Sequence, residues 1–367
     1  MMKIRDLFFH FVRSALWHRP TDIKELPTGV CLQLLQMARQ QTLHGLIADV
    51  ILRDNMKVGL QGVAQILQSH QQAQASNLKL DEKVEEVTRL LKAENIRFVI
   101  VKGQVLNQFY PKPGIRAAGD IDLYCVGDDF EKAIAFFNQF CGEEKDSSAS
   151  VVKEINYTKD GVVYEVHRWL SDLYAPSHQR YWDSLFLDWD KMIDFVKIGL
   201  QEVPTLNPTL NALYVFVHLF YHQLVLGVGL RQFCDLAVLL HHEKQRIDAL
   251  LLQRHLCRLG LLDAFCTICA VLVHQLGLPS EDFPVEIKPW HRRYAQRILE
   301  DVFKRGNFGH YHRKVHEAGW QHSLETGCVS LSHFFRYFRL APKELLWFIP
   351  KQTVSSIRVN WNSHQNQ

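Results

Sequence analysis

The sequence has no long apolar run, and this absence excludes the commonest membrane architecture. Its longest apolar stretch, Ala264 to Val273, is too short to span a bilayer as a helix. The first 17 residues alternate basic and apolar side chains, so they lack the uninterrupted apolar core of a secretory signal. Residues 1–17 and 334–358 are basic and aromatic enough for peripheral membrane contact, but helices docked on the protein body are the favoured interpretation.

The chain also lacks two Cys-x-x-Cys motifs at zinc-finger spacing, and it has no strong excess of positive or negative charge. Its eight cysteines are scattered through apolar segments, as buried free thiols are, which favours a reducing, cytoplasmic location. Cys266 and Cys269 form one Cys-x-x-Cys motif, but no second pair stands at zinc-finger spacing. A net charge of +3 over 367 residues gives no strong nucleic-acid signal and disfavours a polymerase or tailing enzyme.

Hydrophobic periodicity divides the chain into three parts, with no internal repeat or low-complexity tract. Helical spacing dominates residues 1–95 and again residues 201–367, whereas short apolar strands punctuated by turns occupy residues 96–200. The sequence therefore predicts an α+β fold, in which a small mixed β-sheet core is flanked by N-terminal and C-terminal helical regions.

Two carboxylates occupy alternate positions of a predicted strand that begins at Gly119. Alternation sends Asp120 and Asp122 to the same side of that strand. Two neighbouring carboxylates repel each other and need a compensating cation, and oxygen-rich sites of this kind suit Mg²⁺. This pattern indicates phosphoryl or nucleotidyl transfer, in which a pair of metal ions neutralises the reacting oxygens.

A second predicted strand supplies the groups that would complete such a site. Glu165 and His167 share one face of residues 162–167, and a charged side chain in mid-strand is costly unless it has a partner. We expect Glu165 to be the third metal-binding acid or a base. His167 could bind metal, orient Glu165 or act on an acceptor hydroxyl.

Positive charge and glycine precede the aspartates. Gly103, at the start of a short predicted helix, would allow close backbone approach to a phosphate. Lys102 and Arg116 could add positive charge beside a triphosphate.

These motifs together resemble a known family. Val101-Lys102-Gly103, Tyr110-Pro111, Gly119-Asp120-Ile121-Asp122-Leu123 and Glu165-Val166-His167-Arg168-Trp169 resemble the uncharacterised nucleotidyltransferase family of bacteria, a branch of the DNA polymerase β-like superfamily. Residues 218–236 and Asn307-Phe308-Gly309 are also similar to that family, so the resemblance spans roughly residues 30 to 310.

The resemblance implies a two-metal site, with an NTP as donor of a nucleoside monophosphate to an acceptor hydroxyl. The acceptor would be a small molecule, a sugar or a protein side chain; the alternative is a catalytically inactive nucleotide- or protein-binding module, such as an antitoxin-like or scaffold protein. Gln104 stands where the superfamily has serine. The predicted catalytic residues are Asp120, Asp122, Glu165 and His167, of which the first three bind metal. The predicted nucleotide-binding residues are Lys102, Gly103, Gln104, Arg116, Gly119 and Arg231.

Two further pairs of side chains have helical spacing of four residues. His218 and His222 could ligate a metal, but a structural role is favoured because no third ligand is evident. Arg231 and Asp235 are placed to form an intrahelical ion pair, with Arg231 facing a triphosphate as the alternative.

Overall fold

The computed structural model describes residues 3–145, 152–225, 227–282, 285–305 and 334–348. Its helices are α1 (Ile4–Leu16), α2 (Thr28–Gln40), α3 (His44–Arg53), α4 (Leu60–Ala93), α5 (Gly103–Asn107), α6 (Asp129–Cys141), α7 (Pro176–Ser184), α8 (Trp189–Met192), α9 (Pro208–Val225), α10 (Leu230–His242), α11 (Ala249–Arg258), α12 (Leu262–His274) and α13 (Pro289–Arg305), followed by helical segments at 334–337 and 342–348. Its strands are β1 (Glu25–Leu26), β2 (Lys57–Val58), β3 (Phe98–Val101), β4 (Ile121–Cys125), β5 (Glu154–Lys159), β6 (Val162–His167), β7 (Ile193–Ile198) and β8 (Gln201–Leu206).

A four-stranded mixed sheet forms the centre of the molecule, in the order β3-β4-β6-β5. β3 runs antiparallel to β4, β4 runs parallel to β6, and β5 closes an antiparallel hairpin with β6. All residues of β3 and β4 are buried, which explains why their sequences are nearly continuous apolar runs. The α+β prediction is confirmed.

The long helix α4 covers one face of this sheet. Its sequence predicted an apolar stripe, and Leu80, Val84, Val87 and Leu91 are buried there against β3, β4 and β6. α4 also holds the loop that leads into β4, because the buried Asn77 amide donates to the carbonyl oxygens of Gly114 and Arg116 at 3.1 and 2.7 Å. The loop that carries the aspartates is therefore anchored to the helix beneath the sheet.

A second core joins the helices at the two ends of the chain. Phe8 and Phe11 of α1 lie in the same buried cluster as Phe216 of α9 and Phe265 of α12. Residue 200 lies in the turn of the β7–β8 hairpin, which packs against β3 and α4. The division of the chain into three parts at residues 95 and 200 stays a prediction. The helices that precede the sheet in the sequence and those that follow it share one apolar core.

The described residues bear on the expectations about membrane contact and cysteines. Helix α1 packs on the protein body through eight buried residues, which agrees with the favoured interpretation of residues 1–17. None of the described helices is long and apolar enough to cross a membrane. Seven cysteines are free thiols, and Cys266 and Cys269 are both buried in α12. Cys328, Asn307-Phe308-Gly309 and residues 349–358 lie outside the described residues.

Candidate active site

Strand register brings the predicted acidic residues together. In the parallel β4–β6 pair, Asp122 lies directly opposite Glu165, and Tyr124 lies opposite His167. Side chains at paired positions leave the same face of a sheet, so the two carboxylates project side by side. Ligand atoms of Asp122, Glu165 and His167 all lie within 4.8 Å of one another. The prediction that the Glu165 strand pairs near the aspartate strand is confirmed.

His167 is the centre of this cluster. Its Nε2 lies 3.0 Å from Asp122 Oδ1 and 3.6 Å from Glu165 Oε2. Its Nδ1 lies 3.0 Å from Oε2 of Glu154, the residue opposite it on β5. The imidazole therefore connects carboxylates on three neighbouring strands.

Lys102 supplies the positive charge closest to the acids. Its ammonium nitrogen lies 2.6 Å from Asp122 Oδ1. The Lys102 backbone has φ +56° and ψ −137°, a conformation that residues other than glycine rarely adopt. Such conformations cost about 1–3 kcal/mol and cluster at functional sites. The strained turn after β3 aims this side chain at the acidic cluster.

Gly103 and Asp120 meet across the same turn. Gly103 has φ +28°, and a Cβ atom there would lie 3.1 Å from the backbone oxygen of Asp120. Glycine thus permits the loop before β4 to approach α5 closely. Asp120 immediately precedes β4, is half-buried and lines the same cavity as Asp122. It lies beyond the tight group formed by Asp122, Glu165 and His167.

The cluster opens into a cavity of about 230 Å³ between the sheet and the C-terminal helices. α9 contributes His218 and His222, whose ring centroids are 4.2 Å apart, and α10 contributes Arg231. Burial and the nearby Lys102 ammonium lower the pKa of His222 to about 4 and that of His218 well below its usual value. Both histidines are therefore neutral at pH 7 and form part of the cavity wall; their role as structural side chains stays a prediction.

Negative charge at the cluster is incompletely compensated. Burial, together with the carboxylates of Asp122 and Asp120, raises the pKa of Glu165 to about 8. A carboxyl group with such a pKa is one that lacks a sufficient cation. Glu165 is thus the side chain that would gain most from a bound metal ion.

The other acids of the cluster are held ionised. Burial opposes the charge of Asp122, but Lys102 and His167 outweigh it and place the pKa of Asp122 below its usual range. A hydrogen bond from His167 is the main reason that the pKa of Glu154 falls to about 2. Burial would lower the pKa of His167, but hydrogen bonds to Asp122 and Glu154 raise it instead.

The residues present fit a divalent cation. Two carboxylates and an imidazole converge, and Glu154 can accept the Nδ1 proton of His167, which leaves the Nε2 lone pair directed at the cluster. That tautomer is assigned from the contacts. In the absence of a cation, His167 Nε2 lies 3.0 Å from Asp122 Oδ1 and carries a proton that it donates to this carboxylate. A metal ion would replace that proton and the Lys102 ammonium as the partner of Asp122.

Arg116 joins the loop before β4 to α10. Its guanidinium is buried and donates to Asp235 through Nε and Nη2 at 2.7 and 2.8 Å, and Tyr110 donates to the same carboxylate at 2.7 Å. Nη1 donates to the Ala117 carbonyl oxygen at 3.2 Å. Arg116 lines the cavity as a cation already paired with Asp235, and its contact with a triphosphate stays a prediction.

The predicted Arg231–Asp235 ion pair is wrong, because Asp235 is satisfied by Arg116. Arg231 instead donates from Nη1 to the Ala117 carbonyl oxygen at 2.9 Å, and its Nε is buried with no hydrogen-bond partner. None of the ion pairs formed by described residues includes Arg231. This leaves Arg231 as a cation at the cavity wall, consistent with the alternative that it faces a triphosphate.

Gln104 does not reach the cavity, contrary to its predicted place among the nucleotide-binding residues. The side chain is buried and points towards α4, where its Nε2 donates to Asp81 Oδ1 at 2.6 Å. The residue at the serine position is thus part of the α4–α5 contact. Lys102, Gly103 and Gly119 do line the cavity.

Three further residues of the site were not predicted from the sequence. Glu154 reaches His167 because β5 is the partner strand of β6, and the preceding residue, Lys153, also lines the cavity. Tyr214 enters from α9, one turn before His218. The signal for Glu154 is strand alternation, which places it on the His167 side once the register of β5 against β6 is known.

Known proteins are similar to this chain at the level of a family model and of a solved structure. A family model described as an uncharacterised nucleotidyltransferase matches residues 32–277, about two thirds of the chain. The chain therefore belongs to the uncharacterised nucleotidyltransferase family, as its motifs indicated. The search of curated proteins found no match. Among solved structures, an antigenic nucleotidyltransferase-like protein from Paracoccidioides brasiliensis matches with 16% identity and a TM-score of 0.35, over 55% of this chain and 94% of that chain.

Proposed function

We propose that this protein is a Mg²⁺-dependent enzyme that transfers a nucleoside monophosphate from an NTP to the hydroxyl group of an acceptor. One observation carries the proposal: Asp122, Glu165 and His167 converge beside a cavity, and Glu165 has no lysine or arginine partner among the described residues. Membership of a nucleotidyltransferase family supports the general chemistry. The acceptor class is a small molecule, a sugar or a protein side chain.

The acids have the roles of metal ligands. Asp122 and Glu165 would hold the cation from neighbouring strands, with Asp120 at the edge of the cavity and His167 Nε2 as a further donor. A bound divalent cation supplies charge neutralisation for the reacting phosphate oxygens. Glu154 would keep His167 in the tautomer that presents Nε2.

The cations have the roles of phosphate ligands. Lys102 neutralises Asp122 in this structure, and its ammonium would become available to the triphosphate once Asp122 has a metal partner. Arg231 lines the same cavity from α10, and its buried Nε has no hydrogen-bond partner. Positive groups from two elements of the fold would hold the donor phosphates in one orientation, which lowers the entropic cost of reaction.

The reaction itself is a displacement at the α-phosphorus. The acceptor oxygen forms a bond to that phosphorus as the bond to the pyrophosphate oxygen breaks, and the hydroxyl proton passes to a base. Glu165, whose pKa of about 8 lies near neutrality in the absence of a cation, is one candidate for that base, and His167 is the other. Products are the nucleotidylated acceptor and pyrophosphate.

The test combines binding with turnover. ATP, GTP, CTP and UTP are titrated calorimetrically with Mg²⁺, and each α-labelled NTP is then incubated with cell extract while pyrophosphate release is measured. We expect Mg²⁺-dependent binding of at least one NTP and transfer of label, both lost in Asp122→Asn. Asp128→Asn is the matched control, because Asp128 is an exposed residue three positions after β4 and lies outside the cavity.

The outcomes separate the hypotheses. Undiminished binding and transfer in Asp122→Asn would refute the assignment of the site. Mg²⁺-dependent NTP binding with neither label transfer nor pyrophosphate release would instead identify the non-catalytic nucleotide-binding module.

A further inference from the structure

A second cavity, of about 430 Å³, lies on one face of α7. Four of its lining residues follow the helical spacing i, i+3, i+4 and i+7 along that helix, so they form a single continuous face. The cavity is completed by the last residue of α11 and by a side chain of segment 342–348. The lining residues used below are Ser177, Arg180, Tyr181, Ser184, Arg258 and Lys343.

The cavity carries positive charge without a matching acid. Arg180, Arg258 and Lys343 all line it, and no carboxylate does among the residues described there. None of these three cations forms an ion pair with any other described residue.

Glu344, which follows Lys343 in the sequence, already has hydrogen-bond partners. Glu344 is 1% exposed and accepts hydrogen bonds from the Tyr174 backbone nitrogen at 2.6 Å and from the Tyr221 hydroxyl at 2.5 Å. His178, which also lines the cavity, places its Nδ1 2.5 Å from Glu344. This buried carboxylate is not among the lining residues of the cavity and forms no ion pair with the three cations.

Two features of the cavity wall leave polar groups available to bind an anion. The Arg258 guanidinium lies 4.4 Å above the Tyr181 ring, and the Tyr181 hydroxyl is 2.7 Å from His255 Nδ1. Stacking of this kind fixes the guanidinium plane and leaves its edges free for a bidentate partner. Ser177, in the first turn of α7, has a buried Oγ with no hydrogen-bond partner. A buried hydroxyl without a partner is costly unless a ligand uses it.

We propose that this cavity binds a phosphate group, carried either by a phosphorylated small molecule or by a polynucleotide backbone. Two guanidiniums and an ammonium match the double negative charge and the several acceptor oxygens of phosphate, and the Ser177 hydroxyl supplies a neutral donor. The site is formed by residues other than those of the acidic cavity. Its existence therefore does not depend on the proposed function of that cavity.

The experiment titrates inorganic pyrophosphate into the full-length protein by calorimetry, with EDTA present so that the acidic cluster holds no metal. The same protein is titrated with a short single-stranded oligonucleotide in a parallel series. Variants are Arg258→Gln, Arg180→Gln and Ser177→Ala. Arg254→Gln is the matched control, because Arg254 is an exposed arginine one turn earlier on α11 and outside the cavity.

We expect saturable binding that weakens roughly five- to tenfold in Arg258→Gln and in Arg180→Gln, and less in Ser177→Ala. Arg254→Gln should bind as the unaltered protein does. If the pyrophosphate series shows this pattern, the ligand is a phosphorylated small molecule; if only the oligonucleotide series does, it is a polynucleotide. Absence of binding in both series, equal losses in Arg254→Gln, or unchanged binding in both Arg258→Gln and Arg180→Gln would overturn the proposal.

Discussion

Two groups of buried charges lie on the wall of the acidic cavity, and they differ in their charge balance. In the first, Arg116 and Asp235 form a bidentate pair that Tyr110 completes, and both charged side chains are about 4% exposed. In the second, Asp122, Glu165 and Glu154 surround His167, with Lys102 2.6 Å from Asp122 and Lys153 3.1 Å from Glu154. The charges of the first group are paired with each other, whereas the second group is open to the cavity and its Glu165 has no lysine or arginine partner among the described residues.

The difference indicates which group supports the fold and which supports chemistry. A buried ion pair that satisfies itself has no need of a ligand, and its value lies in joining the α5–β4 loop to α10. A buried acidic cluster can persist only if protons or cations neutralise it, so it is suited to bind a metal. Each of the following experiments tests one side of this contrast.

The largest expected effect is on stability, in the balanced group. Asp235→Asn should lower the free energy of unfolding by about 3–5 kcal/mol, because it leaves the Arg116 guanidinium buried without a counter-charge. Urea denaturation in EDTA measures the loss. The double variant Arg116→Met/Asp235→Leu should recover part of it, and a single variant as stable as the unaltered protein would show that the pair is not a brace.

The second largest effect is a pH dependence of the free energy of unfolding, which arises from Glu165 in the acidic cluster and is measured in EDTA. The folded-state pKa of Glu165, about 8, lies above its unfolded value, so folding favours the protonated carboxyl. The resulting stability is complete below about pH 4.5 and declines as the pH rises towards 8. We expect a loss on the order of 1–3 kcal/mol between pH 5.5 and 8.5.

Two controls assign that pH dependence. Glu165→Gln carries no titratable group at this position, so its stability should change less over the same range. Addition of Mg²⁺ at pH 8.5 should restore stability to the unaltered protein and not to Glu165→Gln. Identical pH profiles for the two proteins would remove Glu165 as the source.

A smaller effect is expected from Glu154, which acts through His167. Glu154→Gln should weaken divalent-metal affinity about tenfold. Carboxylates that hold the other ring nitrogen of a metal-binding histidine typically contribute a factor of this size to metal affinity. Calorimetric Mn²⁺ titration measures the affinity. Glu82→Gln, the same change at an exposed glutamate of α4 outside the cavity, should not weaken it, and equal affinity of Glu154→Gln and the unaltered protein would exclude the positioning role.

The smallest effect on ligand binding is expected at Gln104. Because its side chain contacts Asp81 of α4 and not the cavity, Gln104→Met should change NTP affinity by less than about twofold. Its stability should fall by about 1–2 kcal/mol through loss of the buried hydrogen bond to Asp81. A tenfold loss of NTP affinity with unchanged stability would return Gln104 to the nucleotide site.

Sequence patterns predicted the elements of this site better than the partners of its charges. Alternation and the apolar strand runs were enough to put Asp122, Glu165 and His167 on adjacent strands, because side-chain direction in a strand follows from local geometry. The Arg116–Asp235 pair joins residues 119 positions apart, and no local rule connects them. Local spacing instead favoured Arg231 as the partner of Asp235, and tertiary packing decided otherwise.

Gln104 is a second residue whose contacts depend on tertiary packing and not on the local sequence. Its position after Gly103 suggested a ligand-facing residue, but the orientation of the single-turn helix α5 against α4 buries it. The place of Glu154 opposite His167 depends on the register between β5 and β6, which is a tertiary contact. In each case the residue type was visible in the sequence, and the contact that defines its role was not.

Mn²⁺ binding followed by electron paramagnetic resonance tests the central contrast most directly, since free Mn²⁺ gives a strong signal that bound Mn²⁺ loses. With no nucleotide present, the unaltered protein and Arg116→Lys, which keeps the charge balance of the closed pair, should each deplete the free signal. Asp122→Asn should not. Equal depletion by Asp122→Asn and the unaltered protein, or no depletion by either, would contradict the assignment of the acidic cluster as a metal site.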